Sequence, residues 1–285
     1  MDYQAFVDGR KTMLVAPAGY GKTHTIVECL KHTNGKQLIL THTHAGIASI
    51  KDKIKKSNIK STSYSIETIS SLAQKYSQAF YMGADMPEQE AREYHSFMIQ
   101  KAMEIFTSPA VKRVIAASYA GLFIDEYQDC TKEQHAMITA LSDVLPTHIL
   151  GDPMQGIFDF NGDLVDFETD LVEFDMFPEL LIPHRWYREG NNSGLGDLLK
   201  GYRDQLKSRQ PISLTHSPDN GLYVVIVSSN DLLNAQSNYR KGLNKLIQNP
   251  DKKPEFDSLL IIAPEYEEIT DDGTKIHKGN IRDRA

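Results

Sequence analysis

The sequence contains little cysteine and no long apolar segment, and both features narrow the class of protein. Of its 285 residues only two are cysteines, Cys29 and Cys130, and they belong to no C-x-x-C pair. They are therefore predicted to be reduced core residues of a cytosolic protein. No stretch is long and apolar enough to cross a membrane, and the N-terminus carries no basic-then-apolar export signal. These patterns predict a cytoplasmic protein with no membrane partner.

An excess of positive charge is also lacking. The formal net charge is −7, which argues against a general nucleic-acid coat. A local basic track stays open, because binding depends on where the charge lies. A solvated helix face is the common explanation for a basic run, and a strip that follows a nucleic-acid backbone is the alternative. The run in question consists of Lys51, Lys53, Lys55, Lys56 and Lys60.

Short apolar runs recur at intervals that leave room for helices between them. Because these runs are near-continuous rather than alternating, they predict strands covered on both faces, as in a parallel α/β sheet. Residues from about 73 to 118 break the rhythm and are predicted to form a helical insertion. A domain boundary is predicted near residue 180, between parts 1–180 and 181–285. The predicted strands are Met13–Val15, Leu38–Leu40, Leu122–Ile124, His148–Leu150, Tyr223–Val227 and Leu259–Ile262.

A glycine-containing stretch joins the first predicted strand to a predicted helix and reads Val15-Ala16-Pro17-Ala18-Gly19-Tyr20-Gly21-Lys22-Thr23. Gly19 and Gly21 let the backbone turn tightly and bring its N–H groups close to phosphate oxygens, and the helix adds the positive end of its dipole. Lys22 is expected to bind the β- and γ-phosphates, and Thr23 to ligate Mg²⁺. Ala16 stands in the place of the first glycine of G-x-x-x-x-G-K-T, which is the one departure from that pattern.

Two further stretches place polar groups directly after predicted strands. Asp125 and Glu126 end an apolar run, as in a Walker B site. Asp125 is expected to hold Mg²⁺, and Glu126 to orient or deprotonate the attacking water. Gln155 follows the next strand in Gly151-Asp152-Pro153-Met154-Gln155 and is expected to sense the γ-phosphate. A plain turn is the alternative for this third stretch.

The order of these motifs resembles that of the superfamily 1A DNA helicases, the UvrD/Rep/PcrA group. Their first motif reads A-G-A-G-S-G-K-T, so the alanine at position 16 is itself typical of the group. Pro183 departs from the group, because motif IV carries asparagine at that place. The other matches are Thr41 to Ala45 with motif Ia, Thr68 to Leu72 with motif Ib, Asp125 to Asp129 with the D-E-x-Q-D motif, Gly151 to Phe158 with motif III, and Leu180 to Arg185 with motif IV.

The resemblance implies a P-loop, RecA-like parallel sheet that binds ATP and Mg²⁺, followed by the start of a second RecA-like domain. Gln4 precedes Lys22 at the spacing of the adenine-reading glutamine of the group. The implied metal ligands are Thr23 and Asp125. The implied catalytic residues are Lys22, Asp125, Glu126, Gln155 and Arg185, and the implied nucleotide-binding residues are Gln4, Ala16, Pro17, Ala18, Gly19, Tyr20, Gly21, Lys22, Thr23 and His24.

The resemblance also implies contacts with single-stranded or partly duplex DNA. Residues just past a strand end could bond phosphates, and Phe160 matches an aromatic residue that stacks on a base in these enzymes. Core packing is an equal alternative for Phe160. The implied DNA-binding residues are Thr41, Thr43, His44, Tyr64, Thr68 and Phe160.

Within the group, the compact layout and the early Gln4 resemble the GajB-like helicase subunits of Gabija antiphage systems, which implies a nuclease partner of the OLD family (GajA-like). No match to motifs V and VI follows Arg185, and motif VI carries the arginine finger of the group. The leading expectation is a DNA helicase or translocase that hydrolyses ATP to move 3′→5′ on single-stranded DNA, with slow hydrolysis by this chain alone. The alternative is an ATP-gated module that controls a partner nuclease without unwinding. A small-molecule kinase is disfavoured, because it needs neither Gln155 nor the threonine and histidine cluster.

Overall fold

The computed structural model describes residues 1–91, 93–156, 163–187 and 193–212, together with the backbone of residues 266–269 and 275–278. The chain divides into two compact units, residues 1–223 and 224–285. The first unit contains a six-stranded sheet, and the second contains a two-stranded antiparallel hairpin. Within the described ranges, no helix combines the length and the apolar character that crossing a bilayer requires.

The six-stranded sheet is parallel throughout. It consists of β1 (Lys11–Val15), β2 (Gln37–Thr41), β3 (Tyr64–Thr68), β4 (Gly121–Ile124), β5 (Thr147–Gly151) and β6 (Asp175–Phe177). The spatial order is β3-β2-β4-β5-β1-β6, and each neighbouring pair is parallel. The loops that follow β1, β2, β4 and β5 therefore meet at one edge of the sheet. The hairpin of the second unit is formed by β7 (Tyr266–Ile269) and β8 (Lys275–Lys278).

Helices follow most of the strands of the first unit. Three of them, α4 to α6, lie in sequence between β3 and β4. The described helices are α1 (Tyr3–Asp8), α2 (Lys22–Leu30), α3 (His44–Lys55), α4 (Ile69–Phe80), α5 (Tyr94–Thr107), α6 (Pro109–Ser118), α7 (Lys132–Ser142), α8 (His184–Tyr187) and α9 (Ser193–Lys207).

The residues of the central strands β2, β4 and β5 are buried on both faces of the sheet, which explains why their apolar runs are continuous in the sequence. Leu122 and Ile124 of β4 pack into a cluster with α4 to α7. Phe123, which lies between them, packs into a second cluster with α1 to α3. Side chains alternate between faces along a strand, so both odd and even positions must be apolar when helices cover both faces.

The predicted fold class is confirmed, since the sheet is parallel and four of the predicted strands are present as β1, β2, β4 and β5. β3 and β6 were not predicted. The predicted strands Tyr223–Val227 and Leu259–Ile262 lie outside the described residues, and the domain boundary near residue 180 stays a prediction. Both cysteines are buried free thiols, in agreement with the core position predicted for them.

Candidate nucleotide-binding site

The loop between β1 and α2 has the backbone shape of a phosphate cradle. Gly19 and Gly21 adopt φ values of +82° and +109°, a region that glycine enters without strain. Gly21 is also the N-cap residue of α2, and because it has no side chain it leaves the first amide groups of the helix uncapped. Ala16 N–H donates to Gly151 O at 3.0 Å, which ties the loop to the end of β5. This arrangement provides amide donors and the positive helix end for an anion.

Lys22 is buried at the centre of this cradle. Its Nζ donates to Ala16 O at 3.0 Å and lies 3.1 Å from Glu126 Oε2. Only 5% of the Lys22 side chain is exposed, whereas 40% of the Glu126 side chain is exposed. The ammonium group is thus fixed between the loop and the acidic motif, where an incoming phosphate would find a buried positive charge.

Asp125 follows β4 and faces the first turn of α2. Its carboxylate accepts a hydrogen bond from Thr23 Oγ1 at 3.3 Å, and its own N–H donates to Leu40 O at 2.9 Å. Burial, followed by the nearby Glu126 carboxylate, raises the pKa of Asp125 from 3.8 to about 6, and Lys22 only partly opposes this. A cation at this point would restore the ionised form.

A hydroxyl and a carboxylate oxygen are suitable ligands for Mg²⁺, which binds through one or two protein groups while substrate phosphates supply others. In the described part of the chain, no three His, Cys, Asp or Glu residues form a ready-made metal cage. Thr23 and Asp125 therefore fit a metal that arrives with a nucleotide better than a resident structural metal.

Glu126 adopts a backbone conformation that is rare for a residue with a side chain. Its φ and ψ are 55° and 47°, in the left-handed region. Such a conformation costs of the order of 1–3 kcal/mol and is found mainly at functional sites. It turns the chain from β4 into the short helical turn Tyr127–Asp129 and directs the Glu126 carboxylate to Lys22.

The third motif is connected to Glu126 through Gln128. Gln128 Nε2 donates to Glu126 Oε2 at 3.1 Å, and Gln128 Oε1 accepts from Asp152 N–H at 2.9 Å. Asp152 is fully buried, and Gln155 Nε2 donates to its Oδ2 at 2.5 Å. In this structure the Gln155 amide is thus held by Asp152. Gln128 received no role from the sequence, since its contacts depend on how two strand ends meet.

Arg185 lies directly over the phosphate loop. Its N–H donates to Gly19 O at 3.0 Å, and a Cβ added at Gly19 would lie only 2.9 Å from Arg185 Cβ. Leu180 N–H donates to Val15 O at 3.2 Å, so the whole segment follows the end of β1. The structure therefore places Arg185 against the phosphate loop at Gly19, three residues before Lys22.

Gln4 lies near the other end of α2. Its amide donates to Asp8 Oδ1 at 2.9 Å, and its Oε1 lies 3.1 Å from His32 Nδ1. His32 follows α2, whereas Lys22 begins it, and a helix of that length spans about 14 Å. The role of Gln4 in adenine recognition stays a prediction.

The residues predicted to contact DNA differ in their surroundings. Thr41 is buried at the end of β2, and Thr43 caps α3 by accepting Gly46 N–H at 3.0 Å. Thr68 caps α4 through Ser71 N–H at 3.0 Å, so its hydroxyl has a structural task. His44 is exposed at the start of α3, and Tyr64 packs at the edge of the second core cluster. Phe160 lies outside the described residues.

A cavity of about 200 Å³ connects the acidic motif with the residues after β2. His42 borders it, with Nε2 3.5 Å from Cys130 Sγ. Burial lowers the pKa of His42 to about 4, although the Glu126 carboxylate acts in the opposite direction. His42 received no role from the sequence. The residues that line the cavity are Thr23, Thr41, His42, Thr43, Gly46, Ser49, Asp125, Glu126 and Asp129.

Comparison with known proteins shows which family the sequence matches. The AAA domain family matches residues 4–161. The Gabija protein GajB of Bacillus cereus (strain VD045) is 39% identical over 70 residues, which are 24% of this chain and 14% of that protein.

Two solved structures illustrate the level of structural similarity. The Arterivirus nonstructural protein 10 helicase with DNA has 16% identity and a TM-score of 0.41, and the match covers 75% of this chain and 44% of that chain. Bacteroides Pif1 bound to single-stranded DNA has 15% identity and a TM-score of 0.40, and the match covers 94% of this chain and 59% of that chain. The chain thus spans roughly half the length of these helicases and a smaller share of GajB.

The family match spans more than half of the chain and includes the phosphate loop, the acidic motif and the third motif. The chain belongs to the AAA domain family, and its partial sequence match to a Gabija protein agrees with the GajB-like resemblance of its motifs.

Proposed function

We propose that this chain is the ATP-binding part of a DNA helicase or translocase subunit that hydrolyses ATP–Mg²⁺ to move 3′→5′ on single-stranded DNA, in antiphage defence. The observation that carries this proposal is the convergence of Lys22, Thr23, Asp125 and Glu126 at one edge of the sheet. These residues come from two strand ends about 100 positions apart, and together they offer an ammonium group for phosphates, two oxygen groups suited to Mg²⁺ and a carboxylate suited to activating water.

Each residue then has a chemical task. When bound, ATP supplies the phosphoanhydride bond and Mg²⁺ neutralises its phosphate charge. Lys22 and the loop amides hold the phosphates, and Thr23 and Asp125 hold the cation. Glu126 accepts a proton from the attacking water at its carboxylate. Its present ion pair with Lys22 at 3.1 Å must open as a phosphate takes its place beside the ammonium group.

The DNA side of the proposal rests on the cavity beside Glu126. It places the catalytic carboxylate next to the turn that carries Thr43 and leads into His44. A phosphate of DNA bound at this turn would lie close enough to bias the acidic motif. The exposed lysines of α3 (Lys51, Lys53 and Lys55) continue from this turn and offer positive charge for the backbone of a bound strand.

A second candidate is an ATP-gated module that controls a nuclease partner of the OLD family without unwinding DNA. Hydrogen bonds link Glu126 through Gln128 to Asp152 and favour this candidate. A change in nucleotide occupancy at Glu126 could reach surfaces beyond the site through these bonds. The sequence similarity to a Gabija protein is consistent with both candidates.

ATP hydrolysis with and without single-stranded DNA distinguishes the two candidates. The motor predicts DNA-stimulated turnover that Glu126→Gln reduces by about 100-fold or more, because the proton acceptor is lost while the phosphate cradle stays. Glu133→Gln is the matched control, since Glu133 is exposed at the start of α7 and, in the described part of the chain, its carboxylate accepts hydrogen bonds from Ser96 and Gln100. Turnover that DNA does not stimulate, together with ATP-dependent nuclease binding that survives in Glu126→Gln, would support the module instead.

A further inference from the structure

Arg203 on α9 reaches the third motif from outside the sheet. Its guanidinium donates from NH1 to Asp152 Oδ2 at 2.8 Å and from NH2 to Asp152 Oδ1 at 2.7 Å. The Asp152 side chain is fully buried, and only 13% of the Arg203 side chain is exposed. This is a bidentate pair in a protected environment, which fixes the orientation of both groups.

The carboxylate of Asp152 is shared with the residue expected to sense the γ-phosphate. Gln155 Nε2 donates to Asp152 Oδ2, the same oxygen that receives Arg203 NH1. On its backbone side, Asp152 N–H donates to Gln128, which in turn contacts Glu126. Arg203 is therefore connected to Gln155 through the Asp152 carboxylate. It is connected to the Glu126 carboxylate through Asp152 and Gln128.

The same helix also lies close to the phosphate loop. Tyr20 of the phosphate loop is buried and lies within electrostatic reach of Arg203 and Asp152. Glu179 adds a second carboxylate to Arg203 at 3.2 Å, and Lys207, one turn along α9, pairs with Glu179 at 2.5 Å. Within the described residues, Arg203 pairs with both Asp152 and Glu179, whereas Lys207 pairs with Glu179 alone.

We propose that Arg203 is a positioning residue of the nucleotide site, which couples the docking of α9 to the freedom of Gln155. A buried carboxylate must keep strong partners. While Arg203 supplies two hydrogen bonds to Asp152, the Gln155 amide is free to leave it for a nucleotide phosphate. When α9 moves away, Gln155 is the nearest remaining side-chain donor to Asp152 and stays held. Docked α9 thus permits hydrolysis. This inference rests on the proposed ATPase function.

A mutant series tests the coupling. Arg203→Lys keeps the charge and loses the bidentate geometry, so kcat for ATP should fall about 10- to 100-fold while ATP affinity stays within about twofold. Lys207→Ala, the matched control on the same face of α9, should change neither quantity. Because Arg203 acts through Gln155, Arg203→Lys should have no further effect on kcat in a Gln155→Ala background. Additive effects, or parallel losses of affinity and thermal stability, would show that Arg203 is a structural clamp only.

Hydrogen exchange provides a measurement that needs no turnover. Binding of ATPγS with Mg²⁺ to the wild-type chain should change the exchange rates of the α9 amide groups, and Arg203→Lys should abolish this change. Unaltered α9 exchange in the wild type at saturating nucleotide would overturn the coupling even if ATP hydrolysis is normal. Conversely, a nucleotide-dependent change in a chain that fails to hydrolyse ATP would support the coupling and reject the proposed ATPase.

Discussion

At the scale of single residues, two acidic residues of the site are held in energetically unfavourable states. Asp125 is buried with a raised pKa, and Glu126 occupies the left-handed region of the backbone. Strain of this kind persists only where surrounding contacts determine it, here the bonds of Thr23, Lys22 and Gln128. A cation beside Asp125 would stabilise its ionised form, so this buried carboxylate fits a site that binds a metal together with a nucleotide.

Asp125→Asn should therefore stabilise the ligand-free protein at neutral pH. The pKa of Asp125 rises from 3.8 to about 6 on folding, so its ionised form opposes folding, and the change should add between about 1 and 3 kcal/mol to the unfolding free energy at pH 7.5. The folded wild type binds the extra proton between pH 3.8 and 6, so the gain should shrink as the pH falls through this window. Urea unfolding at several pH values measures it.

Two comparisons make this prediction specific. Asp143→Asn, at an exposed carboxylate that lies 3.7 Å from Lys112, should change stability by less than about 0.5 kcal/mol. The thermal stabilisation of the wild type by ATP–Mg²⁺ should be lost in Asp125→Asn. A variant that is less stable than the wild type at every pH would contradict the unfavourable state assigned to Asp125.

The residues that could be predicted from the sequence are those with local patterns. Lys22, Thr23, Asp125 and Glu126 each follow a strand signal, and the structure brings them together as expected. Arg203 carries no such pattern, and Gln128 lies within the acidic motif, but its contacts with Glu126 and Asp152 could not be predicted from that motif. The partner of Arg203 lies 51 positions earlier, so only the packing of α9 against the sheet edge reveals the pair.

At the scale of elements, strands likewise could be predicted only where the sequence contains a local apolar run. β2 and β5 are buried at every position and were predicted from their apolar runs. β6 has only three residues, two of them exposed, and β3 is only partly buried along most of its length. Both are edge strands, covered less completely by helices, so their sequences need not be apolar and give no run to detect.

The contact between α8 and α9 depends on a glycine. A Cβ added at Gly196 would lie 2.7 Å from Trp186 Cβ and 3.2 Å from Tyr187 Cε1, whereas a Cβ at Gly201 would meet nothing within 4 Å. Gly196→Ala should therefore lower the unfolding free energy by about 1–3 kcal/mol through overpacking. Gly201→Ala should raise it by about 0.5–1 kcal/mol, because alanine favours the helix.

Thermal unfolding of both alanine variants checks this prediction, and limited proteolysis locates the effect. Cleavage near α9 should accelerate in Gly196→Ala and slow in Gly201→Ala. Equal shifts of the two variants in the same direction would mean that α9 does not pack on Trp186 in solution.

At the scale of the whole molecule, the site is assembled from loops at four strand ends and from a helix outside the sheet. None of these short segments keeps its geometry alone, so the stability of the sheet and the integrity of the site are linked, and any ligand that binds here stabilises the entire unit. The pH dependence of that stability is set by buried groups on both sides of the sheet.

Two buried or partly buried histidines lower the unfolding free energy at acid pH. His148 of β5 lies with Nδ1 2.8 Å from Thr12 Oγ1 and packs on Phe6 and Phe123. Burial lowers the pKa of His148 and of His42 to about 4. An unfolded histidine titrates near 6.5, so the unfolded state binds up to two more protons between pH 6.5 and 4, and stability falls as the pH decreases through this window. Asp125 has the opposite effect on the unfolding free energy, because the folded state binds its extra proton as the pH decreases.

His42→Phe should make the protein less sensitive to acid. Phenylalanine keeps an aromatic ring at the position and removes one of the two protons that drive acid unfolding, so the slope of unfolding free energy against pH should decrease by about 1 kcal/mol per pH unit between pH 4.5 and 6. Denaturant unfolding in that range measures the slope. His95→Phe, at an exposed position of α5, should leave the slope unchanged. Because the other titrating groups are common to all three proteins, their contributions cancel in the comparison. An unchanged slope in His42→Phe would mean that His42 remains protonatable in the folded cavity beside Glu126.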